Sequence, residues 1–161
     1  MSYQSNPFNS LALQRKIYII VVDDDEDDRQ FIARAFQNIG TKHPVLTFED
    51  GEEFLDHLLQ DDQSVSDKVA WCGLIVLDIN MHRVSGVEVL EKIKNHPGLK
   101  HIPTVMLSTS IEEDLVQEAY SKGANGYLQK PSLMDDYNHL AISMQTCFLN
   151  VPCVRWMGVQ Q

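Results

Sequence analysis

The sequence predicts an α/β fold: a flavodoxin-like, doubly wound domain on one five-stranded parallel sheet, (βα)5. Two observations predict it. Short apolar runs without polar alternation, such as Ile17–Val22, recur along the chain, and strands buried on both faces read that way. Between them lie segments whose apolar residues fall at helical spacing, and five such alternations imply a parallel sheet closed by right-handed crossovers. Length and composition agree, since 161 residues with 43% hydrophobic and 22% charged side chains suit one folded domain rather than a disordered chain.

The elements follow in order. Residues 1–16 carry Ser, Asn and Gln with little periodicity and read as a flexible leader; the folded domain is expected over 17–149. Ile17–Val22 is the first strand. A helix is expected over Asp28–Asn38, with Phe31, Ile32, Ala35, Phe36 and Ile39 inward and Gly40 at its C-terminal cap. Val45–Phe48 forms a short second strand, and Glu52–Leu59 a helix with Phe54, Leu55, Leu58 and Leu59 on its inner side. Gln60–Lys68 is polar and reads as a long surface loop. Leu74–Ile79 is the third strand. Ser85 caps a helix that runs to Asn95 and is stopped by Pro97-Gly98. Val105–Ser108, Glu112–Lys122, Gly126–Gln129 and Leu133–Phe148 complete the alternation. Residues 150–161 are expected to be a short tail with no output domain, whose Val151, Val154, Trp156 and Met157 could dock on the last helix or on a second copy.

Composition also excludes several roles. Thirteen Lys and Arg against twenty-three Asp and Glu leave a net charge of −10. That balance argues against nucleic acid and against anionic lipid, both of which need cationic side chains. The leader lacks the apolar core of a signal peptide, and no apolar run reaches a membrane-spanning length. Three cysteines, Cys72, Cys147 and Cys153, with no CxxC pair oppose a disulfide framework and a zinc site, and fit a reducing cytoplasm. Neither GxxxxGK[ST] nor GxGxxG occurs, so a nucleotide enzyme is disfavoured. HExxH and GxSxG are absent as well.

In a doubly wound sheet, ligands sit beyond the carboxyl ends of the strands. Strand one ends in the acidic run Asp23 to Asp28, strand three at Asp78 followed by Asn80, strand four at Ser108-Thr109, and strand five at Gln129-Lys130-Pro131. Glu26, Asp27 and Asp28 have a local use, because negative charge at a helix N-terminus meets the positive end of its dipole. Asp23, Asp24 and Asp78 do not, since ionised groups ending buried strands are costly unless compensated. Three converging carboxylates repel. A divalent cation resolves the repulsion, and oxygen-only ligands with room for water suit Mg2+ or Mn2+. Lys130 supplies further positive charge, Ser108 a hydroxyl and Thr109 an amide. Together these groups form a cradle for a phosphoryl group, whose transfer needs mainly charge neutralisation and alignment.

The pieces VVDDDEDDR, LIVLDINMHRVSGVEVL, IPTVMLSTS and GANGYLQKP, in this order and spacing, resemble the receiver domain of bacterial two-component response regulators (the CheY-like family), of the single-domain type. The resemblance covers Lys16 to Phe148. It implies that Asp78 is the phosphoacceptor in phosphorelay signalling. It also implies that Asp24 ligates Mg2+ directly, that Asp23 helps through water, and that the Asn80 backbone carbonyl is a further ligand. Ser108 resembles the family's switch hydroxyl, Tyr127 its rotating aromatic and Lys130 its phosphate-binding lysine. The Lys130–Pro131 peptide bond is expected to be cis, as in family members.

The implied partner is a sensor histidine kinase or a histidine phosphotransfer protein, and a homodimer is possible. The implied output is a change in the surface formed by the fourth helix, fifth strand and fifth helix. Asn80 and Ser110 would flank the water that removes the phosphoryl group, making the domain a switch rather than a turnover enzyme. Three departures stand out. His82 replaces the usual proline, read here as a tolerated surface substitution or a titratable group near the site. Thr109 replaces a smaller residue. The Gln60–Cys72 loop is longer than in the shortest members, as in regulators paired with phytochrome-type kinases. The alternatives are a degenerate receiver acting as a constitutive binding module, an aspartate-based phosphohydrolase, which would need a second Asp where Asn80 stands, and an FMN carrier.

Overall fold

The computed structural model describes residues 17–59 and 72–149. The leader, the long polar loop, the tail and Cys153 lie outside the described residues. Five strands, β1 (Tyr18–Val22), β2 (Val45–Phe48), β3 (Cys72–Asp78), β4 (Thr104–Ser108) and β5 (Gly126–Gln129), form one sheet in the order β2-β1-β3-β4-β5. All four pairings are parallel. The helices are α1 (Glu26–Asn38), α2 (Gly51–Leu59), α3 (Gly86–Asn95), α4 (Glu113–Ser121) and α5 (Met134–Met144). The chain order reverses between β1 and β3, so a crevice opens there at the carboxyl ends.

Successive strand side chains point to opposite faces, which divides the core in two. Ile20, Val22, Ile75, Leu77 and Met106 pack with Phe54 and Leu58 of α2 and with Leu90 and Ile93 of α3. Ile19, Val21, Leu74, Val76 and Leu107 pack on the other face with Ile32 and Phe36 of α1 and with Tyr137 and Ala141 of α5. Val22, Leu74, Leu77 and Met106 are wholly buried, which is why these strands read as unbroken apolar runs.

Local chemistry sets the helix ends. Helix α1 starts at Glu26, two residues before the sequence expectation, because the Asp25 carboxylate caps it by accepting from the amides of Asp27 (2.8 Å) and Asp28 (3.2 Å). Gly40 ends it as expected, with φ +69°. Ser85 and Glu88 form a reciprocal capping box on α3. Helix α5 is shorter than the expected Leu133–Phe148 segment, and the chain continues from it as a π-helical turn over Gln145–Leu149. Among the described residues no helix is long and apolar enough to cross a membrane.

Candidate functional site

The register of the sheet brings the strand ends together. Val22 pairs with Leu77, so Asp23 lies beside Asp78. The Asp23 amide donates to the Phe48 carbonyl (3.1 Å), and the Ile79 amide to the Leu107 carbonyl (3.0 Å). These bonds extend the ladder one step past the strands and fix both acids. Behind Asp78, α3 comes unusually close: a Cβ at Gly86 would sit 2.0 Å from the Asp78 carbonyl oxygen. The Gly86 amide donates to the Ile79 carbonyl (2.9 Å). Only a residue without a side chain permits that approach.

Asp23, Asp24 and Asp78 each offer a carboxylate oxygen, and these oxygens lie within 4.8 Å of one another. Asp23 and Asp78 are buried, at 1% and 4% exposure. Asp23 Oδ1 accepts from the Asp25 amide (3.0 Å). Asp23 Oδ2 lies 2.8 Å from Lys130 Nζ yet has no hydrogen bond of proper alignment. A buried, under-bonded carboxylate oxygen facing two other carboxylates is the donor set a hard divalent cation satisfies. The residues present therefore fit such an ion.

Lys130 follows β5, and its amide donates to the Ser108 carbonyl (2.8 Å). Its Nζ meets three carboxylates at once: Asp23 Oδ2 (2.8 Å), Asp28 Oδ2 (2.8 Å) and Asp78 Oδ1 (2.9 Å). Burial alone would pull the Lys130 ammonium down, but these acids outweigh it and raise its proton affinity above that of an ordinary lysine. For Asp23 the balance goes the other way. Its burial, with Asp78 adding repulsion, outweighs Lys130 and pushes its carboxyl from 3.8 up to about 6. Burial likewise raises Asp78.

The switch residues of the resemblance sit on β4 and β5. Ser108 is fully buried, and its hydroxyl oxygen accepts from the Ser110 amide (3.1 Å). Tyr127 is half-buried, and its hydroxyl donates to the Ser110 carbonyl (2.8 Å), tying β5 to the loop after β4. Thr109 is exposed, with its carbonyl accepting from Gln129 Nε2 (3.3 Å). Asn80 is exposed, two residues beyond Asp78. One expectation is corrected: Lys130–Pro131 is trans, as is every peptide bond among the described residues. A trans X–Pro bond is the lower-energy isomer by about 0.5–1 kcal/mol, and Lys130 reaches all three acids from it.

Two residues at the site, Asp28 and Tyr137, have partners that the sequence did not show. Asp28 is assigned there to the helix dipole alone; here it also pairs with Lys130. Tyr137 of α5 donates its hydroxyl to Asp28 Oδ1 (3.1 Å). His82 lies on the surface and near the site, as read: its amide donates to Asp24 Oδ2 (3.1 Å), and its ring Nδ1 touches the same oxygen. Beside it a shallow pocket is lined by Asp24, Glu49, Asp50, Met81 and Arg83, with Arg83 paired to Asp50 at 2.9 Å.

The family model described as the response regulator receiver domain matches residues 19–141. The chain belongs to this family. Among curated relatives, the probable methanogenesis regulatory protein FilR2 of Methanothrix harundinacea is 32% identical over 136 residues, covering 84% of this chain and 86% of that protein. The response regulator Rcp1 of Synechocystis is 31% identical over 149 residues, covering 92% and 95%. The phosphorylated cyanobacterial phytochrome response regulator RcpA superposes with a TM-score of 0.74 at 32% identity, covering 84% of this chain and 95% of that one. Rcp1 is also known in an Mn2+-bound crystal form, which matches with a TM-score of 0.70 at 29% identity, covering 81% and 92%. The receiver's CheY-like, flavodoxin-like architecture accounts for the sheet order described above.

Proposed function

We propose that this receiver accepts a phosphoryl group on Asp78 from a histidine kinase or histidine phosphotransfer protein, and signals through the surface of α4, β5 and α5. The observation that carries the reading is the convergence of Lys130 with Asp23 and Asp78, in a crevice where Asp24 stands beside them. An Asp78 oxygen attacks the phosphorus of a phosphohistidine; the P–O bond forms as the P–N bond breaks, and the imidazole leaves. Lys130, already 2.9 Å from Asp78 Oδ1, neutralises charge on the incoming group. Asp23, Asp24 and Asp78, with the Asn80 carbonyl, would hold Mg2+ or Mn2+, which would supply positive charge opposite the phosphoryl oxygens. The Mn2+-bound form of Rcp1 supports that assignment.

The acyl phosphate adds negative charge beside the Ser108 hydroxyl and the Thr109 amide. Ser108, whose oxygen now accepts from the Ser110 amide, turns its hydroxyl proton toward the new oxygens. Tyr127, bonded to the Ser110 carbonyl, then loses its place, and the loop between β4 and α4 changes packing. Exposed Ile111, Tyr120 and Leu133 border this face and offer a partner apolar contact. Asn80 and Ser110 flank the path of the hydrolytic water and set the lifetime. The action is that of a reversible switch, placed in the cytoplasm where its phosphodonors and Mg2+ reside.

The test is intact-mass measurement after incubation with acetyl phosphate and Mg2+. One added phosphoryl group, absent in Asp78→Asn and lost over time after the donor is removed, is the expected result. Labelling that is unchanged in Asp78→Asn removes Asp78 from this role.

A further inference from the structure

Lys130 Nζ lies within 2.9 Å of three carboxylates, so its ammonium is already surrounded by acids before any phosphoryl group arrives. A phosphoryl oxygen is a fourth claimant, and one resting partner must be released. The three differ in what release costs them. Asp23 and Asp78 are buried, whereas the Asp28 side chain is 23% exposed. Asp28 also holds a second donor, the Tyr137 hydroxyl, on its other oxygen. Water and Tyr137 can replace what Asp28 loses, whereas Asp23 and Asp78 are shut off from water and depend on Lys130 or a bound cation. Even so, Asp28 accepts a well-aligned hydrogen bond from Lys130 Nζ at 2.8 Å, better placed than the bare charge contact of Asp23. Asp28 also stands apart from the Asp23–Asp24–Asp78 cluster, so its hold on Lys130 is separable from cation binding.

We propose that Asp28 is a brake on Lys130: it occupies part of the ammonium at rest, yields to the phosphoryl oxygen, and is then held by Tyr137. Asp28 and Tyr137 are positioning residues, acting through Lys130. The release also reaches the helices. Tyr137 belongs to α5 and stacks its ring 5.7 Å from Phe31 of α1, so a change at Asp28 is felt at the α1–α5 seam, on the opposite face of the sheet from α4.

The inference rests on the phosphoacceptor reading, and the experiment separates the two. Beryllofluoride, a phosphoryl mimic, is titrated calorimetrically into the full chain with saturating Mg2+, using wild type, Asp28→Asn, Tyr137→Phe and the double variant. Asp28→Asn is expected to bind about tenfold tighter, the scale of one charge-assisted hydrogen bond. Tyr137→Phe is expected to bind more weakly than wild type, because a stranded Asp28 clings to Lys130. The double variant should match Asp28→Asn, since Tyr137 acts only through that carboxylate. In wild type, the Tyr137 ring resonances should shift on adding beryllofluoride, and the shift should shrink in Asp28→Asn; a merely structural role would leave it intact. Unchanged or weaker binding by Asp28→Asn, or additive effects in the double variant, overturns the brake while leaving the phosphoacceptor reading standing. Wild type that binds no beryllofluoride overturns both. Asp28→Ala provides a second variant and should change binding in the same direction as Asp28→Asn.

Discussion

Asp23→Asn should stabilise this protein when divalent ions are absent. Burial holds the Asp23 carboxyl at about 6 rather than 3.8. At about 1.4 kcal/mol per pH unit, its ionisation costs the folded state about 3 kcal/mol at neutral pH. The sign follows from linkage. Between 3.8 and about 6 the folded chain keeps a proton that the unfolded chain has released, so the Asp23 contribution is full below 3.8 and is lost as pH rises through 6. The amide of Asn carries no such penalty, and Lys130 keeps Asp28 and Asp78 as counter-charges. Urea unfolding in EDTA should give near-equal stabilities at pH 4 and an advantage for Asp23→Asn approaching 3 kcal/mol at pH 7. Saturating Mg2+ should then stabilise wild type by about 3 kcal/mol at a hundredfold excess over its dissociation constant and erase the gap. An Asp23→Asn protein that is less stable than wild type in EDTA at pH 7 would refute the reasoning, because it would mean that Lys130 already compensates Asp23 in full.

Further outcomes follow from the same geometry. Lys130→Ala leaves three carboxylates without their shared cation and should cost about 3–5 kcal/mol in EDTA, read by chemical denaturation, with part of the loss recovered on adding Mg2+. Gly86→Ala drives a methyl group against the Asp78 carbonyl; it should lower stability by about 1–3 kcal/mol and slow phosphorylation by acetyl phosphate, measured by thermal melting and by intact mass. Ser85→Ala removes the capping box of α3 and should cost about 1 kcal/mol in urea unfolding with little change in phosphorylation rate.

The sheet was legible because its three central strands, β1, β3 and β4, are buried on both faces. Ile19, Leu74 and Leu77 have no solvent side, so the chain shows unbroken apolar runs, and the carboxylates that end those runs are conspicuous for the same reason. Asp23 and Asp78 announce a site by violating the burial rule that their neighbours obey. Local signals also carried through, as at Ser85 and Gly40. What the sequence concealed lies in long-range pairings. Asp28 and Lys130 are 102 residues apart, and His82 and Asp24 are 58 apart. Asp28 had a sufficient local explanation in the helix dipole, which masked its second partner. The end of α5 was overextended because apolar spacing continues through Phe148 and does not distinguish an α-helix from the π-turn that follows.

The most direct measurement is chemical mapping of the phosphorylated residue. Borohydride reduces an acyl phosphate of aspartate to homoserine, which peptide mass spectrometry locates. After acetyl phosphate and Mg2+, the account predicts homoserine at position 78 alone, and none when EDTA replaces Mg2+. Homoserine at the position of another carboxylate, or label resting on a histidine, would contradict it.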